Sequence, residues 1–145
     1  MPRLKTFLPD VNVWLALASY RHVHNHAAAE WFSSLGDEQA VFCRVAQMGL
    51  LRLLTNSRVM GVDVLNTAKA WQVYVRLIED PRKRFSTEPP GLEVIWRQLT
   101  EDPRILPGMW TDAYLQAFAR LRDLSVVTFD KGFRPFADPD PVVLA

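Results

Sequence analysis

Three aspartates are the residues of this chain best placed to do chemistry: Asp10, Asp112 and Asp130. Carboxylates that gather in one place repel one another strongly unless a cation neutralises them. Mg²⁺ and Mn²⁺ suit such a place, because they bind one or two carboxylates and complete their coordination with water. A site of this kind favours phosphodiester hydrolysis, since the ion lowers the pKa of a bound water and stabilises charge on the leaving oxygen. The chemistry therefore requires a fold that brings the three side chains together.

The amino-terminal part of the chain positions two candidate residues. An apolar strand predicted over 5–8 ends next to Asp10, and a strand predicted over 40–43 precedes a helix whose first turn carries Gln47. In parallel α/β sheets, ligands bind at the carboxyl ends of the strands. If the two strands are parallel, Asp10 and Gln47 lie at the same edge of the sheet.

A helix and a strand that run in opposite directions bring Asp112 and Asp130 to that edge. The helix is predicted from an N-cap at Thr111 to Asp123, so it has about 13 residues and is about 20 Å long. The strand that follows, over 125–129, spans about 17 Å. Because the helix and the strand have similar lengths and opposite directions, the chain returns to the edge of the sheet at which the helix began. The three aspartates are therefore expected to converge.

Each aspartate also has an ordinary structural explanation when it is considered alone. Asp10 could simply cap the helix that follows it. Asp112 would gain from the dipole at a helix N-terminus without any metal. Asp130, which precedes Lys-Gly, is a common type of turn residue. Only their predicted convergence favours the functional interpretation.

Strands alternate with helices along the rest of the chain. Helices are predicted over 12–20, 25–35, 44–55, 66–79 and 91–101, and further short strands over 84–86 and 142–144. This alternation indicates an α/β fold with a mostly parallel sheet. Apolar stripes at helical spacing place Trp14 and Trp71 in the core.

Composition and charge exclude several classes of protein. The 145 residues are 49% hydrophobic and 23% charged, which is typical of one globular domain over 1–145 and not of a disordered chain. The 17 Lys and Arg nearly balance the 16 Asp and Glu, which argues against binding nucleic acid by bulk charge but allows a local basic patch. A single Cys43 excludes an internal disulfide, and no signal peptide or membrane segment is evident. We therefore expect a soluble, cytoplasmic protein that does not bind a membrane.

One short basic run, Arg82-Lys83-Arg84, could grip a phosphate backbone. Runs of this kind are more commonly solvated loops. The sequence leaves both interpretations open.

Four short motifs together resemble the PIN-domain ribonucleases, in particular the VapC-type toxins of bacterial toxin–antitoxin pairs. The resemblance extends over nearly the whole chain. The motifs are Leu8-Pro9-Asp10-Val11-Asn12-Val13-Trp14-Leu15, Ala46-Gln47-Met48-Gly49-Leu50-Leu51-Arg52-Leu53-Leu54-Thr55-Asn56, Thr111-Asp112-Ala113-Tyr114-Leu115 and Val127-Thr128-Phe129-Asp130-Lys131-Gly132-Phe133. Each is weak alone, but four in this order and spacing are fairly specific.

The resemblance implies a three-layer α/β/α fold and an endoribonuclease that depends on Mg²⁺ or Mn²⁺ and cleaves structured RNA such as tRNA or rRNA. It also implies a VapB-like antitoxin whose C-terminal tail occupies the active-site groove, and a homodimer. By motif position, Asp10, Asp112 and Asp130 match acidic metal ligands of the family. Asn12 matches a polar residue beside the first acid, and Thr128 lies near the last.

Gln47 departs from the family pattern, which usually has Glu at this position. Glutamine keeps an oxygen but carries no charge and cannot accept a proton as a carboxylate does. We therefore expect weaker metal binding and a role for Gln47 in orienting water. The alternative is a catalytically weakened or inactive module that still binds antitoxin or RNA. A phosphotransfer domain is a third and weaker alternative, since Asp10-Val11-Asn12 lacks the second aspartate of a phosphatase-type motif.

Overall fold

A sheet of short parallel strands lies at the centre of the computed structural model, which describes residues 3–133, 136 and 138–145. Within these residues the strands are β1 (Thr6–Pro9), β2 (Gln39–Phe42), β3 (Lys83–Phe85), β4 (Ser125–Thr128) and β5 (Val142–Val143). They form one sheet in the order β3-β2-β1-β4-β5, and every neighbouring pair is parallel. The predicted α/β fold is confirmed, and the sheet is parallel throughout.

Helices connect the strands and flank the sheet. They are α1 (Val11–Ala18), α2 (Asn25–Ser33), α3 (Arg44–Leu54), α4 (Ser57–Met60), α5 (Thr67–Leu77), α6 (Leu92–Thr100) and α7 (Trp110–Arg122). Helix α1 packs against α2 and α3, and α3 packs against α5, whereas α6 packs against α7. No helix in the described part of the chain is long and apolar enough to cross a membrane.

Two helix predictions differ from the structure. Helix α7 begins at Trp110, so Thr111 lies inside the first turn, and no side chain caps this end. The predicted cap at Thr111 is therefore wrong. The short helix α4 was not predicted, although Asn56 is a good N-cap and its side chain accepts a hydrogen bond from the Arg58 backbone N–H.

The core lies on both sides of the central strands. Leu8 of β1 is fully buried, and the ring of Trp14 stacks on Phe42 of β2 with centroids 3.7 Å apart. Trp14 lies one helical turn after Asp10, so this stack packs the beginning of α1 against the sheet. Trp71, in contrast, is 50% exposed on α5, so its predicted place in the core is wrong. Its ring meets Tyr74 edge-on at 6.1 Å, and together with Val75 it forms an apolar face of α5 that the described residues cover only in part.

Candidate active site

Asp10 lies at the carboxyl end of the central strand β1 and is buried, with 6% of its surface exposed. Its backbone N–H donates to the carbonyl of Val127 at 2.7 Å, which extends the pairing of β1 with β4 by one residue. One carboxylate oxygen accepts from the Val11 N–H at 2.7 Å and caps α1. The other accepts from the Thr128 hydroxyl at 3.1 Å. Asp10 therefore does act as a helix cap, and it is also held by β4.

The fully buried Thr128 hydroxyl is the centre of a hydrogen-bond network. It donates to Asp10 and accepts from the Asn12 side-chain amide at 3.3 Å and from the Asp130 N–H at 3.0 Å. A hydroxyl has one donor and two acceptor positions, so all three are used. Asn12 completes the network by accepting from the Phe129 N–H at 3.4 Å. The network fixes Asp10 and the backbone of Asp130 relative to each other.

The structure brings Asp112 and Asp130 to the same edge as Asp10. Asp112 lies in the first turn of α7, and Asp130 follows β4, where its carboxylate accepts from the Gly132 N–H at 2.8 Å. Burial, and after it the negative charges of Asp10 and Asp130, together raise the pKa of Asp112 to about 7. A helix N-terminus favours a carboxylate, so burial and repulsion outweigh the dipole here.

The same forces act on Asp10. Burial raises its pKa above the usual range, hydrogen bonds from Val11 and Thr128 oppose that rise, and the charge of Asp130 adds to it. Two wholly or partly buried carboxylates whose ionisation is opposed by neighbouring negative charge form a site where a divalent cation would be favourable. Within the described residues, however, no three His, Cys, Asp or Glu side chains are close enough to hold one ion together. One or two carboxylates completed by waters is the coordination that fits Mg²⁺ or Mn²⁺.

Gln47 lies in the first turn of α3, at the carboxyl end of β2, and is buried. Its side-chain oxygen accepts a hydrogen bond from the Arg44 guanidinium, and its amide lies near the hydroxyl of Tyr74, where it opposes the rise in the Tyr74 pKa caused by burial. The Arg44 guanidinium in turn lies 4.5 Å from the centre of the Phe85 ring. Among the described residues no hydrogen bond joins Gln47 to an aspartate of the site. Its role in orienting water stays a prediction.

An open groove of about 280 Å³ adjoins Asp10 and is mostly apolar. It runs between α1, α3 and the beginning of α7, and its walls include Val11, Met48, Gly49 and Arg52. Met48 is 52% exposed, so its side chain is accessible to a ligand in the groove. The groove can accept an extended ligand next to the carboxylates.

The sequence did not indicate the partners of Gln47 or the walls of this groove. Arg44 is three residues before Gln47, so helical spacing could have suggested their contact. Tyr74 comes from a distant helix, and no local pattern connects it with α3. Thr128 was placed near the last acid, but its three hydrogen bonds depend on the pairing of β1 with β4.

The chain matches the family model described as "PIN domain" over residues 7–139. It is 38% identical over 143 residues to ribonuclease VapC41 of Mycobacterium tuberculosis, covering 95% of this chain and 98% of that protein. It is also 31% identical over 136 residues to ribonuclease VapC38 of the same organism, covering 92% of each. Both matches span nearly the complete chain.

Solved structures with low sequence identity share the fold. VapC20 of Mycobacterium tuberculosis, a toxin that cleaves the sarcin–ricin loop, superposes with a TM-score of 0.68 at 18% identity and covers 96% of this chain and 99% of its own. VapBC2 of Rickettsia felis, bound to a DNA fragment from its promoter, gives a TM-score of 0.69 at 10% identity and covers 95% and 96%. The sequence and fold agree, and the chain therefore belongs to the PIN-domain family, as a relative of the VapC-type ribonucleases.

Proposed function

We propose that this protein is a divalent-metal-dependent endoribonuclease that acts as the toxin of a toxin–antitoxin pair. The observation that carries the proposal is the convergence of Asp10, Asp112 and Asp130 at the carboxyl edge of the sheet, where the charge of Asp130 raises the pKa of both other aspartates. The relation to VapC ribonucleases supports RNA as the substrate.

Asp10 and Asp112 hold the ion, directly or through water, because both are partly or fully buried and fixed to secondary structure. Mg²⁺ or Mn²⁺, when bound, supplies charge stabilisation for the phosphate and lowers the pKa of water. Asp130 is exposed, so it can reach the attacking water and accept its proton. Asn12 and Thr128 orient Asp10, and Gln47 helps to position water.

The partner we propose is a VapB-like antitoxin whose tail lies in the groove beside Asp10. The groove is apolar and carries the cation Arg52, so it fits a segment with apolar and acidic side chains. We also propose a homodimer that uses α5, since Trp71 and Val75 are each 50% exposed one helical turn apart. Such a toxin would act in the cytoplasm, where structured RNA is available.

RNA cleavage tests the catalytic assignment. Asp10→Asn keeps the side-chain oxygen that caps α1, so the variant is expected to fold but to lose cleavage in Mg²⁺ or Mn²⁺ and to lose growth inhibition. Glu101→Gln, which removes an exposed carboxylate from the end of α6, is the matched control and should cleave like the wild type. If Asp10→Asn cleaves RNA as fast as the wild type, the assignment is wrong.

The neutral Gln47 favours one alternative, a module that binds antitoxin or RNA without cleaving it. Calorimetric titration with Mn²⁺ separates the two. The ribonuclease requires Mn²⁺ binding that Asp10→Asn weakens. Tight antitoxin binding without Mn²⁺ binding at millimolar concentration would support the non-catalytic module.

A further inference from the structure

A second cavity, of about 500 Å³, lies at the opposite edge of the sheet from the carboxylates. The residues that precede β1, the strand β3 and the turn between α7 and β4 form its walls. Asp10 stands beyond the carboxyl end of β1, whereas this cavity adjoins the first residue of the same strand. A four-residue strand separates the two edges by roughly 13 Å.

The walls of this cavity concentrate positive charge. Four cationic residues line it, Arg3, Lys5, Arg84 and Arg122, against a single carboxylate, that of Asp123. Asp123 forms an ion pair with Arg3 at 3.1 Å, so Arg3 already neutralises this carboxylate. The whole chain carries a net charge of only +1, and the cavity is therefore a strong local departure from the average.

Neutral acceptors hold two of these cations in place. Arg84 Nε donates to the Gln39 side-chain oxygen at 2.7 Å, and Arg122 Nη2 donates to the Thr87 carbonyl at 3.1 Å. Within the residues that the structure describes, no carboxylate lies within 4.0 Å of the charged nitrogens of Lys5, Arg84 or Arg122. The charges of Arg84 and Arg122 are therefore oriented but not neutralised.

The basic run identified in the sequence divides between two environments. Arg82 pairs with Asp80 at 3.0 Å and lies over the Phe32 ring, and Lys83 lies over the same ring at 4.3 Å. Only Arg84 turns to the basic cavity. The run is therefore mostly structural, and its phosphate-binding potential rests on Arg84 together with residues distant in sequence.

We propose that the basic cavity binds backbone phosphates of the RNA substrate at a distance from the cleavage edge. The proposal rests on the ribonuclease function proposed above. Guanidinium groups offer planar pairs of N–H donors that match phosphate oxygens, and two of them are already oriented here. Because roughly 13 Å separates the cavity from Asp10, only an RNA of several nucleotides can occupy both. The cavity therefore strengthens binding of long or folded RNA and leaves short oligonucleotides unaffected.

Binding of a fluorescein-labelled RNA hairpin of about 30 nucleotides, measured by anisotropy in EDTA, tests the proposal. The double variant Arg84→Gln/Arg122→Gln should bind the hairpin about tenfold more weakly than the wild type. The slope of log affinity against log salt should fall by about 1 to 2, since each lost phosphate contact removes about 0.7 to 0.9. Cleavage of a tetranucleotide RNA in Mg²⁺ should stay within about twofold of wild type.

The matched control is Arg58→Gln/Arg76→Gln, which removes two exposed charges outside the cavity and should leave hairpin binding within about twofold. Equal weakening in both double variants would overturn the proposal, because bulk charge would explain it. Loss of tetranucleotide cleavage in the cavity variant would also overturn it. If the wild type cleaves no RNA but the cavity variant alone loses hairpin binding, the result would support the cavity and refute the ribonuclease.

Two further measurements test whether the variants are folded and whether the cavity prefers RNA to another polyanion. Thermal melting should show both double variants folded. If the cavity variant does not fold, Lys5→Gln replaces it, because the Lys5 ammonium makes no hydrogen bond among the described residues. This variant should weaken hairpin binding about threefold. A DNA hairpin of the same sequence that binds more tightly than the RNA, with the loss confined to the cavity variant, would overturn RNA as the ligand.

Discussion

Asp112 shows at the scale of one residue how the site controls protonation. Its neighbours and its burial raise the pKa to about 7, well above the ordinary 3.8. A group whose pKa is raised on folding favours the folded state below its unfolded pKa, and this contribution disappears as the pH rises through the folded value. Without a cation, the ionisation of Asp112 therefore costs stability between about pH 4 and about pH 7.

We predict that Asp112→Asn stabilises the metal-free protein in a pH-dependent way. In EDTA, the urea midpoint of the variant should exceed that of the wild type by more at pH 8 than at pH 5, because only the wild type must ionise the buried group. Glu101→Gln should show no such dependence, since its carboxylate is exposed. A difference in urea midpoint between variant and wild type that is equal at pH 5 and pH 8 would contradict the raised pKa of Asp112.

Single residues differ in how far the sequence revealed them. Asp10 could be placed correctly because a strand of apolar residues ends directly before it, and its dual use as cap and candidate ligand follows from that position. The surroundings of Gln47 could not be predicted, since its neighbour Tyr74 comes from another helix. The sequence shows which side chains are charged and where they lie in their helix or strand. The contacts of a buried amide side chain depend on tertiary packing instead.

At the scale of elements, Thr128 connects β4 to β1 and α1. We predict that Thr128→Val destabilises the protein by about 1 to 3 kcal/mol, because the carboxylate of Asp10 and the N–H of Asp130 lose their partner. RNA cleavage should fall as well. Chemical denaturation and cleavage assays on the same preparations provide the measurement.

Thr128→Ser is the matched control for the hydroxyl. It loses a buried methyl group, which costs about 1 kcal/mol, but it keeps all three hydrogen bonds. Stability should therefore fall in both variants, whereas cleavage should survive only in Thr128→Ser. Equal cleavage by the two variants would show that the network does not position Asp10.

The contact between α1 and α3 depends on Gly49. A Cβ at this position would lie 3.0 Å from a methyl carbon of Val11, and a β-branched side chain has little rotamer freedom to move aside. We predict that Gly49→Ala destabilises the protein although alanine favours helix by about 1 kcal/mol. In a double-mutant cycle, Val11→Ala should remove the penalty. A Gly49→Ala variant as stable as the wild type would show that α1 yields without cost.

Elements were more predictable from the sequence than their exposed faces. Every predicted strand is present within one or two residues of its expected bounds, because short apolar runs between turn signals have few alternatives. Helix α4 was missed because four residues are too short for a periodic pattern. Trp71 was misplaced because an apolar stripe on α5 indicates a covered face without indicating whether this chain or a partner covers it.

At the scale of the whole molecule, the net charge is near zero, but an acidic cluster and a basic cluster lie at opposite edges of the sheet. Acidic residues gather at the carboxyl ends of β1 and β4, and basic residues line the cavity at their amino ends. Parallel strands make this separation possible, since they direct all strand ends of one kind to the same side. The sequence could indicate the acidic edge from local motifs. The basic edge combines three segments that are distant in sequence, and it became evident only in the folded chain.

The folded state alone assembles the acidic edge, so a cation that binds there must stabilise the whole molecule. At a concentration of 100 times its dissociation constant, a ligand specific for the folded state adds about 2.7 kcal/mol, which corresponds to roughly 8 °C in Tm for a chain of this size. We predict a Tm increase of this order with Mn²⁺, reversed by EDTA. Asp10→Asn and Asp112→Asn should lose most of the increase, whereas Glu101→Gln should keep it. Because Tm is measured without RNA, an increase of equal size in Asp10→Asn would place the ion elsewhere even if the protein cleaves RNA.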